Sequence, residues 1–424
     1  MQINPGHELS SKGRLNAAIE RMLHKLEESP WRGVSTPCSQ YLSLDWIIKN
    51  RDAVISELSC ALRSETFTFG PGRLAIIMTG KQRRLVQRAW PERLVEQVIA
   101  EIIEELITPA LSRSLFSFQR GLSNRDAISR FSEQVRFTRN QKQTLYFAKR
   151  DIQEYSVSIN VGRALHKISD LLGTRSPYFV SLISQLLYPQ VEVDSGDTIN
   201  WDGMPTGSPL GPQIDNLYLF DLDRALDSID GVSYIRYCDD IMFASQSPEL
   251  LSATLTKAER FLIELGLTFN PQKSIDGAFG HSVHPRFITR KKVDYLGYSI
   301  SDKGAIFLSS KKMMELKYAI RSIVHSSFHN SRKIKSLTKE ERIAAIVASV
   351  KQLLVGPTRH AYAALLGVFC NDKQQYKALD CWIARQVLGV VYHTRHDRVF
   401  RYLPYRKLRH LGLPSLAHLR WTRG

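Results

Sequence analysis

The sequence predicts an α+β fold with an all-helical final third. Three observations carry this. Short apolar runs at 73–79 (RLAIIMT), 144–151 (TLYFAKRD), 232–237 and 241–245 are bounded by turn residues and read as strands. Segments with apolar residues at helical spacing lie between them. Beyond residue 302 the strand pattern stops and basic residues accumulate. At 424 residues, with 43% hydrophobic and 23% charged, the chain is long enough for a sizeable core and has an ordinary globular composition. Wholesale disorder and a low-complexity scaffold are excluded.

The elements follow in order. Leu15, Ile19, Met22, Leu23 and Leu26 repeat at helical spacing. Residues 29–42, with Pro30, Gly33 and Pro37, read as a loop, and Ser43 as the cap of a single helix running to Arg63. Gly70-Pro71-Gly72 breaks the chain before strand 73–79, and Gly80-Lys81 turns it into a second strand. A helix over 92–106 is stopped by Pro109. The strand 144–151 ends in Asp151, and a helix starts near Asn160. Cys238-Asp239-Asp240 separates two apolar runs as a tight hairpin, 250–265 is helical, and 295–300 reads as one strand. Thr338 to Glu341 forms a capping box, Gly356-Pro357 ends that helix, and a further helix spans 372–388.

Residues 303–424 hold 23 Lys and Arg against 6 Asp and Glu, an excess of 17 that equals the net charge of the whole chain. A basic module joined to a neutral one points to a polyanion, nucleic acid before an anionic membrane. No apolar run is long enough to span a bilayer, and the first 28 residues lack a signal-peptide core. Cys38, Cys60, Cys238, Cys370 and Cys381 show no CxxC spacing, so reduced thiols in a cytoplasmic setting are expected. His393 and His396 have metal-like spacing without a second ligand pair and read as backbone contacts or surface.

Asp151 at a strand end and Asp239 with Asp240 at a hairpin tip are the chemical candidates. Two-metal phosphoryl transfer needs carboxylates converging on ions about 3.5–4 Å apart. Hard Mg²⁺ takes oxygen ligands and shares its shell with water and phosphate. An Asp-Asp pair alone is more often a solvated turn. The order of motifs outweighs that. Asp151-Ile152 with Tyr155 comes first, then Gly203 to Pro212 (GMPTGSPLGP), Tyr237-Cys238-Asp239-Asp240, Leu265-Gly266-Leu267 with Asn270 and Lys273, and Tyr295-Leu296-Gly297-Tyr298. Upstream lie Lys81 to Leu85, Arg93-Leu94-Val95 and Phe118-Gln119-Arg120-Gly121. Over residues 70–300 this succession resembles the reverse transcriptase family, in that family's own motif order.

The resemblance implies a right-hand polymerase: an N-terminal helical extension at 1–70, fingers and palm at 71–302, and a basic helical thumb at 303–424. It implies that Asp151 and Asp239 are the principal ligands of two Mg²⁺ ions, with Ile152 beside them and Asp240 in support. Deoxynucleotides would be met by Lys81, Arg83 and Arg84 at the triphosphate, by Gly203, Pro205, Thr206 and Gly207 in the turn against template and nucleotide, and by Lys273 as a candidate acid for pyrophosphate. Thr206 stands where the family usually has glutamine, and Gly211 where it has serine, which puts the usual glutamine contact in doubt. The sugar gate is Tyr155 through a local shift or, at the usual spacing, Ser156. Tyr237 and Cys238 would lie at the primer terminus, Tyr295 to Tyr298 would form the primer grip, and Asn216 either braces the 203–207 turn from the following helix or is a plain polar helix residue.

The absence of retron signatures and of residues for further nuclease domains argues against retron, retroviral and intact intron enzymes, while Asp151-Ile152-Gln153-Glu154-Tyr155 with the YCDD box in a compact chain resembles the bacterial defence-associated reverse transcriptases, class two. That branch implies a partner noncoding RNA from the same locus, copied into concatemeric complementary DNA as an RNA–DNA duplex. Two alternatives stay open: a template-independent or protein-primed polymerase of the abortive-infection type, and an inactive RNA-binding protein on a polymerase scaffold. The sequence leaves the oligomeric state unspecified.

Overall fold

The computed structural model describes residues 4–28, 44–79, 81–173, 176–193, 196–201, 204–205, 207–281, 284–355, 370, 372–394 and 398–418. The chain divides into two compact units, 1–127 with 146–277, and 128–145 with 278–424. The first carries the expected mixture of strands and helices, and most of the second is helical, so the α+β class holds.

The first unit opens with helices Pro5–Leu9 (α1) and Lys12–Glu28 (α2). Leu44–Lys49 (α3) and Arg51–Arg63 (α4) follow as two helices rather than the single one expected. The break falls at Asn50, whose backbone (φ −111°, ψ 28°) leaves the helical region and whose N–H and Nδ2 both donate to the Trp46 carbonyl, at 2.9 and 2.8 Å. Ser43, the expected cap, lies outside the described residues. Gly72–Thr79 (β1) and Lys81–Gln87 (β2) form the expected antiparallel hairpin. Trp90–Ile107 (α5) begins with Pro91 in its first turn and passes into a 3₁₀ turn at Thr108–Ala110. Its Leu94, Val95, Val98, Ile102 and Ile103 are buried. Asn124–Asn140 (α6) carries the chain into the second unit, and Leu145–Asp151 (β3) brings it back.

The short helix Tyr155–Ser158 (α7) precedes Val161–Leu172 (α8), whose Asn160 cap accepts from the Arg163 N–H. Next come Pro177–Leu187 (α9) and the strands Gln190–Glu192 (β4) and Thr198–Asn200 (β5), which complete a sheet of order β2-β1-β4-β5. Helices Gly211–Tyr218 (α10) and Phe220–Asp227 (α11) lead into Val232–Tyr237 (β6) and Asp240–Ser245 (β7). After Pro248–Glu264 (α12), Ile275–Phe279 (β8) joins a sheet in which β6, β7, β3 and β8 are successive neighbours. Phe147, Ala148, Ile241, Met242, Phe243 and Ala244 of β3 and β7 are all at most 1% exposed. A sheet buried along these strands gives the strand ends little freedom.

In the second unit Lys292–Tyr295 (β9), Tyr298–Ser301 (β10) and Ile306–Leu308 (β11) form an antiparallel meander. Residues 295–300 are thus not one strand. Leu296 and Gly297, both at positive φ, form a two-residue turn with Tyr295 opposite Tyr298. Ser310–Lys333 (α13), Lys339–Val355 (α14) and Lys373–Tyr392 (α15) pack on one another through Leu316, Ile320 and Val324, Ile343, Ile346 and Val350, and Ile383, Val387 and Val391. The capping box is present: the Thr338 N–H donates to Glu341 Oε2 at 2.7 Å, and the Glu341 N–H to Thr338 Oγ1 at 3.3 Å. Among the described residues no helix is long and apolar enough to cross a membrane.

Candidate active site

The sheet of β6, β7, β3 and β8 brings the three aspartates together by register. In the β3–β7 ladder Asp151 stands opposite Asp240, and in the β6–β7 hairpin Asp240 stands opposite Tyr237. Asp240 is therefore the first residue of β7, and the turn itself is Cys238-Asp239. Cys238 sits at φ +55°, left-handed backbone that a two-residue loop requires. The Ile152 N–H donates to the Asp239 carbonyl at 3.0 Å, and the Asn270 N–H to the Asp151 carbonyl at 2.7 Å, latching strand end, hairpin tip and the 270 loop together.

One carboxylate oxygen from each of Asp151, Asp239 and Asp240 falls within a cluster spanning at most 4.8 Å, the only such group of metal-ligating side chains among the described residues. Asp151 is buried, and the other two are half-buried. Burial, and then repulsion from Asp151, raise the Asp239 carboxyl above its ordinary value. Burial foremost, opposed by Lys149 and reinforced by both neighbouring aspartates, pushes Asp240 up to about 6. Lys273 Nζ spans the two Asp151 oxygens at 2.8 and 2.9 Å, and that hydrogen bonding keeps its own proton on more tightly. Three hard oxygen donors whose charges oppose one another suit a divalent cation, so the residues fit the metal that the sequence implies.

Beneath the turn lies a polar network invisible as a motif. Arg236 and Asp223 pair at 2.5 Å with both side chains fully buried. Burial works against the Arg236 charge, and Asp223 outweighs it, leaving the guanidinium more firmly protonated than usual. Arg236 Nη1 donates to the Cys238 carbonyl at 3.2 Å, while the Cys238 N–H donates to Ser117 Oγ at 2.9 Å. Asn216 donates to the Ser117 carbonyl at 3.0 Å and accepts from its hydroxyl, so these bonds brace the segment under the Cys238 turn rather than the 203–207 turn. Both polar groups of the Cys238 backbone are thus held, and burial pushes its thiol up to about 12. Burial also raises the Tyr237 hydroxyl.

Tyr155 is 4% exposed, and its hydroxyl donates to the Asp215 carbonyl at 2.5 Å, whereas Ser156 is exposed. The Asp215 carboxyl is pushed to about 7 by burial, against Arg236 and with Asp239, and its Oδ1 is buried without a hydrogen-bond partner. Gly207 adopts φ +92°, backbone that favours glycine, and a Cβ there would press on the Leu85 side chain at 3.3 Å. The adjoining Ser208 hydroxyl donates to the buried Glu96 carboxylate at 2.5 Å. Pro205 is buried; Gly203 and Thr206 lie outside the described residues. Lys81, Arg83 and Arg84 lie on β2. In the second unit the Tyr295 and Tyr298 rings are buried, Gly297 accepts from the Ser309 N–H at 3.2 Å, and the Lys312 ammonium lies 4.7 Å from the Tyr298 ring centre. His393 is the left-handed cap of α15, and His396 lies outside the described residues.

Sequence reasoning missed Ser117, Asp223 and Arg236. The one available signal was an arginine within the apolar run VSYIRY. It also missed Asp215, which sits directly before Asn216 in the segment after the Gly-Pro turn.

A protein from Schizosaccharomyces pombe described as an uncharacterized 91 kDa protein in cob intron is 25% identical over 178 residues, which are 42% of this chain and 21% of that protein. The chain thus spans about a fifth of the length of that curated relative. Among solved structures, apo telomerase from Candida tropicalis aligns at 12% identity with a TM-score of 0.45, covering 82% of this chain and 63% of that one. Telomerase from Candida albicans with a fragment of telomeric RNA aligns at 10% identity and 0.45, covering 89% and 70%. The family model described as reverse transcriptase (RNA-dependent DNA polymerase) matches residues 70–300, more than half the chain and the span holding all three aspartates, and the chain belongs to that family.

Proposed function

We propose that the chain is an RNA-directed DNA polymerase whose catalytic carboxylates are Asp151, Asp239 and Asp240. The observation that carries this is their convergence within 4.8 Å inside the family-matched span. The three would hold two Mg²⁺ ions, which when bound activate the primer 3′-hydroxyl and stabilise the leaving pyrophosphate. The protein's own part is positioning. β3 and β7 fix Asp151 and Asp240 by register, and the Ser117–Arg236 network holds the turn that carries Asp239. Lys273 Nζ holds a proton beside Asp151, available to a departing pyrophosphate oxygen. Gly207 lets backbone approach the base-paired nucleotide, and Lys81, Arg83 and Arg84 supply cations for its triphosphate. The 17 excess positive charges of 303–424 suit the backbone of an RNA–DNA duplex.

The YCDD box, the segment Asp151 to Tyr155 and the basic C-terminal third support a finer reading. The chain acts in bacterial antiphage defence, as a class two enzyme copying a structured noncoding RNA of its own locus into concatemeric complementary DNA. Pulling the protein from cells carrying the gene with its flanking DNA, and sequencing the RNA and DNA that accompany it, tests both levels. One dominant RNA in wild type and in Asp239→Ala/Asp240→Ala, with complementary repeated DNA in wild type only, is the expected result. RNA without DNA in either sample would leave a binding protein. A second reading, untemplated or protein-primed synthesis, is motivated by the displaced gate, with Tyr155 one position before Ser156, and by Thr206 where the family's glutamine would meet the nucleotide. DNA lacking an RNA complement, or attached to a protein hydroxyl, would establish it.

A further inference from the structure

The second unit contains a cavity of about 760 Å³ between α13 and α15. Its volume falls within the range of small-molecule sites, about 300–1,000 Å³. From α13 come Arg321, His325 and Phe328, spaced four and three residues apart and so on one face. From α15 come Trp382 and Arg385, with His393 at the helix end. Trp382 is half-buried, and the Arg321 guanidinium and Lys317 ammonium each lie 5.4 Å from its ring centre. The Phe328 ring meets His393 edge-on at 6.2 Å, and the Arg332 guanidinium lies 6.0 Å from the Phe328 centre.

Two features make this a shaped recess. Gly389 in its wall accepts from the Thr394 N–H at 3.2 Å, and a Cβ there would come within 2.7 Å of the Thr394 carbonyl. The absence of that Cβ lets the chain fold back at the helix end. Among the described residues no carboxylate lines the cavity. Asp380, the buried acid of α15, is instead engaged by the Ser415 hydroxyl and by the N–H groups of Leu416 and Ala417.

Aromatic faces set among guanidinium groups, with no acid, match a ligand that is planar at one end and anionic at the other. We propose that this cavity binds one unpaired nucleotide, its base stacked against Trp382 and its phosphate met by Arg321 and Arg385. Base–aromatic stacking is tolerant of sequence, and Arg adds both charge and a planar surface. The nucleotide comes either from a bulge or end of a bound RNA or from solution. A fully paired duplex keeps its bases stacked and offers none. The proposal goes beyond the polymerase reading and is tested by binding without synthesis.

The full chain would be titrated by fluorescence anisotropy against two short RNA hairpins, one fully paired and one with a single unpaired nucleotide, with and without adenosine monophosphate. The unpaired nucleotide should tighten binding by about ten-fold. Trp382→Leu should remove that preference and leave affinity for the paired hairpin unchanged, while Trp382→Phe should retain it. Loss of the preference on adding adenosine monophosphate would make the free nucleotide a ligand of the same site, and its persistence would assign the ligand to RNA. Equal affinity of the wild type for both hairpins, or equal weakening of both by Trp382→Leu, would overturn the proposal.

Discussion

Arg236 and Lys273 both face aspartates near the reacting centre, yet they differ in kind. The Arg236–Asp223 pair is wholly buried, so removing one partner strands the other charge in the interior. Arg236→Leu should lower the free energy of unfolding by about 3–5 kcal/mol, measured by urea denaturation. Asp223→Leu/Arg236→Leu should recover part of it, since two apolar groups leave no stranded charge. A single variant as stable as wild type would refute the network. Lys273 is more than half exposed, and an exposed ion pair contributes little to stability. Lys273→Ala should unfold at nearly the wild-type denaturant concentration while slowing single-nucleotide incorporation by about 100-fold in rapid-quench assays, as expected on losing a positioned acid. Equal rates would remove Lys273 from the chemistry.

At the scale of elements, the turn after β5 depends on α5. Glu96 of α5 is 5% exposed, accepts from the Ser208 hydroxyl, and is raised above the ordinary carboxyl range by burial, although Arg88 and Arg93 oppose this. A carboxyl that binds its proton more tightly when folded contributes stability below its unfolded value and loses it as pH rises through the folded one. Glu96→Gln is neutral at every pH and keeps an acceptor for Ser208. Its melting temperature relative to wild type should therefore climb between pH 4.5 and 7.5, read by differential scanning calorimetry on both proteins. A constant difference would show that Glu96 is not so perturbed. Elements were legible in the sequence where one local pattern sufficed. The hairpin of β6 and β7 announced itself through apolar runs around a polar turn, and α14 through Thr338 and Glu341. The break at Asn50 and the turn at Leu296-Gly297 were not, because each interrupts an otherwise continuous apolar pattern. Among the candidate residues, the three aspartates stood out because motif order is linear. Arg236 did not, because its partner is 13 residues earlier on another element and its burial is a tertiary fact.

For the molecule as a whole, the division of charge makes a quantitative statement about nucleic acid. Residues 1–302 balance, so every excess positive charge belongs to the C-terminal 122 residues. Each phosphate neutralised on binding releases condensed counterions, and affinity then falls linearly with salt on logarithmic axes. If six phosphates are met, an RNA–DNA hybrid should bind about 10³-fold more weakly at 200 mM than at 50 mM KCl. Anisotropy with a labelled hybrid longer than the binding site measures this directly. Asp239→Asn/Asp240→Asn should leave the slope unchanged, because those carboxylates meet the reacting centre and not the duplex backbone. A basic surface serving only solubility would give a shallow slope, near that of one or two contacts. A slope that becomes steep only in the double variant would mean that the carboxylates repel the duplex, and that the basic third is not its principal contact.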